Sequence, residues 1–112
     1  MNKKLGGEVV FGTSVISPSQ IFLSRKNVFA IINHRPFLPG HVLVCSRKSV
    51  PKINDLTEIE ILDLFLSAQE VATKLSTLNN CIYNISIQNG KESGQTVPHV
   101  HLHICPQIVS GS

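Results

Sequence analysis

The residues best suited to chemistry lie in the stretch HVHLHIC, residues 99–105, where His99, His101 and His103 alternate with Val100, Leu102 and Ile104. Alternation is the period of an extended strand, whose successive side chains point to opposite faces. The hydrophobes then supply a buried face and the imidazoles a polar one. A single strand histidine is ordinarily a surface or satisfied core residue. Three on one face suggest a shared role.

Neighbouring imidazoles can share a zinc ion, but zinc accepts nitrogen at about 2.1 Å, so two ligands lie no more than about 4.2 Å apart. His99 and His103 are separated by roughly 13 Å along a strand. No thiolate or carboxylate cluster supports them, since Cys105 joins their face only if the strand stays regular. Nucleophilic catalysis suits the array better. Neutral imidazole dominates at pH 7 because its ordinary pKa is about 6.5, and a ring nitrogen can attack an electrophilic phosphorus. A central histidine can attack while its neighbours bind phosphate oxygens and help the leaving group depart. The preceding loop NGKESGQT brings Gly90, Ser93, Gly94, Gln95 and Thr96. Backbone N–H groups of such small residues can approach phosphate, although the composition also suits an ordinary hairpin loop.

These residues need a rigid frame, and the clearest element is a helix over residues 57–78, where Ile61, Leu64, Phe65, Ala68, Val71, Ala72 and Leu75 recur at helical spacing. Thr57 with Glu60 forms a capping box, and Leu56 with Ile61 is placed for a hydrophobic staple. The segments 27–34, 41–46, 81–88 and 97–104 read as strands bounded by turn formers, with a shorter strand over 21–24. Pro36, Pro39 and Gly40 break the first pair, and residues 89–94 suit a loop between antiparallel neighbours. Alternation groups Cys81, Tyr83, Ile85 and Ile87 opposite Ile82, Asn84, Ser86 and Gln88. The greasy faces can bury the helix stripe, which predicts an α+β layer with the imidazoles on the far side.

The 112 residues, 42% hydrophobic and 15% charged, suit a single domain over 1–112. A net charge of +3 from scattered basic residues lacks the dense face of a nucleic-acid binder and suits a small anionic ligand. Cys45, Cys81 and Cys105 are widely spaced and form no CxxC pair, which favours a reduced intracellular setting. Gly6, Gly7 and Glu8 stand where a signal peptide needs an apolar run, and no apolar stretch is long enough to span a bilayer. A protein of the cytoplasm, with the nucleus also open to it, is expected.

His99 to Cys105 resemble the motif of the histidine triad family, with cysteine at the last apolar place as a mild departure. The stretches NHRPFLPGHVLV (33–44) and QNGKESGQTVPHVHLH (88–103) resemble its fragile histidine triad branch, the dinucleoside polyphosphate hydrolases, and the likeness runs from about Phe11 to Pro106. The resemblance implies a five-stranded antiparallel sheet with one long helix and a short one, continued across a homodimer. It implies cleavage of dinucleoside polyphosphates such as diadenosine triphosphate at the α-phosphate, releasing AMP through a covalent nucleotidyl-histidine. His101 then matches the nucleophile, His99 and His103 the flanking phosphate-binding members, and His41 a supporting histidine. Asn33 matches a ribose-binding residue, Phe11, Ile16 and Ile31 apolar positions around a purine base, and Gln95 and Thr96 the phosphate loop. Gln88 matches the branch-specific glutamine beside the bridging phosphates. No cofactor or protein metal site is required, although a divalent cation can accompany the polyphosphate, and neither nucleic acid nor membrane is an expected partner. Gln107 stands where a basic residue is common, and the sequence ends at PQIVSGS where relatives continue. Both departures bear on polyphosphate selectivity. The alternatives are hydrolysis of adenosine phosphoramidates and nucleotide binding without turnover.

Overall fold

The computed structural model describes residues 9–33 and 40–107. Their order is β1 (Val9–Phe11), β2 (Ser14–Ile16), β3 (Ile21–Ser24), β4 (Val28–Ile32), β5 (Val42–Ser46), α1 (Glu58–Asn79), β6 (Tyr83–Ile87) and β7 (His101–Pro106). Short 3-10 turns occupy Pro18–Gln20, Ile53–Asp55 and Lys91–Ser93. The last five strands form one antiparallel sheet in the spatial order β3-β4-β5-β7-β6, while β1 and β2 form a separate hairpin. This is the expected five-stranded α+β layer with one long helix. The predicted turn at Pro36 and Pro39, the His34 end of the first predicted strand, and the segments 1–8 and 108–112 lie outside the described residues.

Helix α1 starts where its capping chemistry places it. Thr57 Oγ1 accepts the Glu60 N–H at 3.2 Å and Glu60 Oε1 accepts the Thr57 N–H at 2.7 Å, so two otherwise unpaired N–H groups are satisfied. Leu56 and Ile61 both join the core beneath it, as a hydrophobic staple requires. At the far end Asn80 takes a left-handed conformation with φ 51° and closes the last turn. Leu64, Ala68 and Val71 face the sheet and pack with Val28, Ala30, Val42, Val44, Val100, Leu102 and Ile104. Phe65, expected in this stripe, lies at its margin and is 40% exposed. The polar Ser67 is buried instead, its hydroxyl taking a hydrogen bond from Arg25 Nη1 at 3.0 Å.

The opposite face of the sheet is also covered. Phe29, Ile31, Leu43 and Cys45 form a second cluster with Ile16, against which Val9, Phe11 and Ile21 pack. Two buried faces explain why β4 and β5 read as nearly continuous hydrophobic runs. Strand β7 begins at His101 instead of Val97. Pro98 has no N–H for a ladder, and the His99 N–H turns back onto the Val97 carbonyl at 2.8 Å. Val100 is nevertheless tied to the sheet, donating to Val50 at 2.8 Å and accepting from Ser46 at 3.1 Å. Ile85, expected on the core face, is 43% exposed because β6 is an edge strand.

Candidate active site

Strand register assembles the site. Across β5 and β7, Cys45 pairs with His101 and Leu43 with His103; across β7 and β6, Ser86 pairs with His103. Pairing of Ile87 with Leu102 sets Gln88 level with His101. Asn33, His41, Ser86, Gln88, Gly94, Thr96, His103 and Cys105 line a cleft of about 510 Å³. His101 is buried next to the cleft-lining His103, with its ring edge-on to those of His103 and Phe11 at centroid distances of 4.7 and 4.8 Å.

Hydrogen bonds determine which ring nitrogens carry protons. His101 Nδ1 lies 2.6 Å from the His99 carbonyl, which can only accept, so the neutral ring keeps its lone pair on Nε2. A second chain runs from Asn33 Nδ2 to His41 Nδ1 at 3.0 Å and from His41 Nε2 to His103 Nδ1 at 3.1 Å. The amide nitrogen can only donate. His41 therefore holds its proton on Nε2 and gives it to His103 Nδ1, which leaves the His103 proton on Nε2. The central imidazole thus keeps an electron pair on Nε2, and its neighbour carries a proton on a nitrogen that is itself buried.

Burial pulls the pKa of His101 below the ordinary histidine value, repulsion from His103 and His99 adds to this, and the bond to the His99 carbonyl opposes it. Burial likewise lowers the pKa of His99, against the hydrogen bond to Ser46. Burial pushes the Cys45 and Cys105 thiols up, so neither supplies a competing thiolate.

His99 does not face the cleft as a flanking phosphate ligand. It is fully buried, its Nε2 donates to the Ser46 carbonyl at 2.6 Å, and its Nδ1 accepts the Gly12 N–H at 3.1 Å. Both nitrogens are committed within the protein. The phosphate loop differs from expectation in the same way. The N–H groups of Ser93, Gly94 and Gln95 return to carbonyls of the loop itself, and that of Gly90 goes to Gln95 Oε1. Gln95 also donates to the Pro51 carbonyl at 2.8 Å, so its side chain braces the loop, while Thr96 lines the cleft. Phe11 lies against both the His99 and His101 rings, whereas Ile16 and Ile31 are packed in the cluster beneath the hairpin.

Three residues have roles in the site that the sequence does not announce. Ser86 faces the cleft beside His103. Gly94 has φ +94°, and a Cβ there would stand 2.8 Å from Gln88 Nε2, so the missing side chain makes room for that amide. Gly12 turns the β1–β2 hairpin at φ +64°. A glycine between two short apolar runs, VVF and SVI, is the signal that reveals it. Among the described residues, no group of three His, Cys, Asp or Glu side chains is arranged to hold a metal ion.

The pattern of a HIT domain matches residues 15–108. The chain belongs to the histidine triad (HIT) family. It is 48% identical over 98 residues to the bifunctional bis(5'-adenosyl)-triphosphatase/adenylylsulfatase FHIT of Arabidopsis thaliana, covering 87% of this chain and 54% of that protein. It is 46% identical over 98 residues to a bis(5'-adenosyl)-triphosphatase of Dictyostelium discoideum, covering 87% of this chain and 66% of the relative. The chain therefore spans between about half and two thirds of these relatives. Among solved structures, the diadenosine triphosphate hydrolase of Plasmodium falciparum superposes with a TM-score of 0.87 at 36% identity, covering 92% of this HIT chain and 71% of that one.

Proposed function

We propose that this HIT chain hydrolyses dinucleoside polyphosphates, diadenosine triphosphate among them, at the α-phosphate to release AMP. The observation carrying the reading is the tautomer of His101, whose Nδ1–H is held by a carbonyl while Nε2 keeps its lone pair, in a ring packed against the cleft-lining His103. In the first step Nε2 attacks the α-phosphorus, the bond to the bridging oxygen breaks, and ADP leaves. The Nδ1–H bond strengthens as positive charge develops on the ring. His103, held through His41 and Asn33, faces the phosphates from the cleft wall, and Gln88 orients the bridging region. In the second step water attacks phosphorus, the P–N bond breaks, and AMP leaves with His101 restored. The balance is one triphosphate and one water giving AMP and ADP.

Asn33 contacts ribose, Phe11 packs on the base with Ile16 and Ile31 behind it, and Thr96 meets phosphate while Gln95 holds its loop. The reading requires no protein metal site, and a divalent cation can accompany the polyphosphate as part of the substrate. The exposed helix residues Ile59, Leu62 and Leu66 support a homodimer. Among the described residues no helix is long and apolar enough to cross a membrane, and the scattered charge favours neither nucleic acid nor lipid as partner. Three free cysteines favour a reducing compartment, the cytoplasm or nucleus.

The test is chromatographic, with wild type and His101→Ala given diadenosine triphosphate, adenylyl sulfate and an adenosine phosphoramidate. AMP release from the triphosphate that disappears in the variant supports the reading. Preference for the phosphoramidate reassigns the leaving group, and tight binding without turnover of any substrate makes the chain a nucleotide sensor.

A further inference from the structure

We propose that Gly12 is a positioning residue for the nucleophile, the latch through which the β1–β2 hairpin is fastened to His99 so that Phe11 stands against the His101 ring. The hairpin meets the sheet through Val9, Phe11 and Ile16. Such apolar contacts are non-directional and leave a small hairpin free to slide. The Gly12 N–H bond to His99 Nδ1 at 3.1 Å supplies direction. It exists only in the tautomer with the proton on Nε2, which the Ser46 carbonyl enforces at 2.6 Å. The turn must come close to make it. Gly12 has φ +64°, and a Cβ would stand 2.7 Å from Val97 Cγ1, inside any real contact. With the bond made, the Phe11 ring lies 5.2 Å from that of His99 and 4.8 Å from that of His101. His99 thereby holds the nucleophile twice, through its carbonyl on His101 Nδ1 and through its ring, by way of Gly12 and Phe11. The assignment of His101 as nucleophile rests on the proposed function; the latch itself is a matter of contacts.

Amide hydrogen exchange, AMP affinity and steady-state kinetics on wild type, Gly12→Ala and Gly12→Ala/Val97→Ala test it. Gly12→Ala is expected to speed exchange across β1 and β2 while β4, β5 and β7 keep their protection. AMP should bind about tenfold more weakly and kcat should fall by a similar factor. The double variant removes the methyl that the new Cβ strikes but leaves the strain of a left-handed alanine, so it should recover only part of both. Unchanged hairpin exchange in Gly12→Ala, or acceleration spread evenly over the large sheet, overturns the latch. Should Gly12→Ala fail to fold, nitrogen NMR of wild-type His99 decides. A proton on Nε2 and a coupling from Nδ1 to the Gly12 amide support the latch, and a proton on Nδ1 overturns it. Absence of turnover in wild type would remove the hydrolase reading, while exchange and AMP affinity would still decide the latch.

Discussion

His101 can attack phosphorus only as a neutral ring, and burial favours that form by lowering its pKa from 6.5. The acidic limb of kcat/KM should therefore fall below pH 6.5, with a plateau above it; a limb centred above that value would mean that the ring is stabilised as a cation. The same burial links stability to pH. His99 and His101 both have folded pKa values depressed below the unfolded value of 6.5. As pH falls through this window the unfolded chain binds protons first, so their contribution is complete above the unfolded value and is lost towards the lower folded values. Urea unfolding between about pH 8 and about pH 5 should show stability declining on the acid side. His101→Ala should keep the fold and lower turnover by more than about 10³-fold, measured as AMP release by a variant with unchanged circular dichroism. Alternation alone places three imidazoles on one face, and the resemblance carries the role of His101. It could not reveal that His99 spends both nitrogens inside the protein, because those bonds go to Gly12 and Ser46, which are 87 and 53 residues away.

Elements differ in how openly they are written. Helix α1 is legible because its period, cap and staple are local, and the structure differs from the expected 57–78 by one residue at each end, running from Glu58 to Asn79. Thr57→Ala should cost about 1 kcal/mol by leaving N–H groups of the first turn unpaired. Leu64→Ala, fully buried against the sheet, should cost about 2–5 kcal/mol. Denaturant midpoints check both, and equal losses would mean that the helix contributes little packing. The β1–β2 hairpin escaped because each arm is three residues, too short for a period to declare itself, and its stability comes from tertiary contact. The loop before the triad is legible as a link between two strands, but its internal bonding is not, since Gln95 reaches across to Pro51. Gly94 joins that loop to the chemistry. Gly94→Ala should lower kcat on the order of 10–10²-fold by driving Gln88 from its place, with a stability loss of about 1–3 kcal/mol from an alanine held at φ +94°. Full activity in that variant would remove Gln88 from the reaction.

At the scale of the whole molecule, helix α1 is apolar on two sides, which a monomer does not need. Its inner stripe is buried on the sheet, yet Ile59, Leu62 and Leu66, at spacings of three and four, are 67%, 56% and 51% exposed. On the edge strand β6, Ile85 is 43% exposed, and β6 has a sheet neighbour, β7, on one side. An open strand edge and an apolar helix flank each invite association. In the proposed homodimer two copies meet through these surfaces, extending the sheet from one subunit into the next. A stable interface of this kind buries more than about 1,000 Å² in total, so the flank must act together with the strand edge. Leu62→Glu combined with Leu66→Glu places two charges on the flank, where burial would leave them without partners. Light scattering should then report a dimer for wild type and a monomer for the variant, with the far-ultraviolet spectrum unchanged because neither side chain belongs to the inner stripe. A wild-type monomer at micromolar concentration would reject the interface. A variant that remains dimeric would place it elsewhere on the molecule.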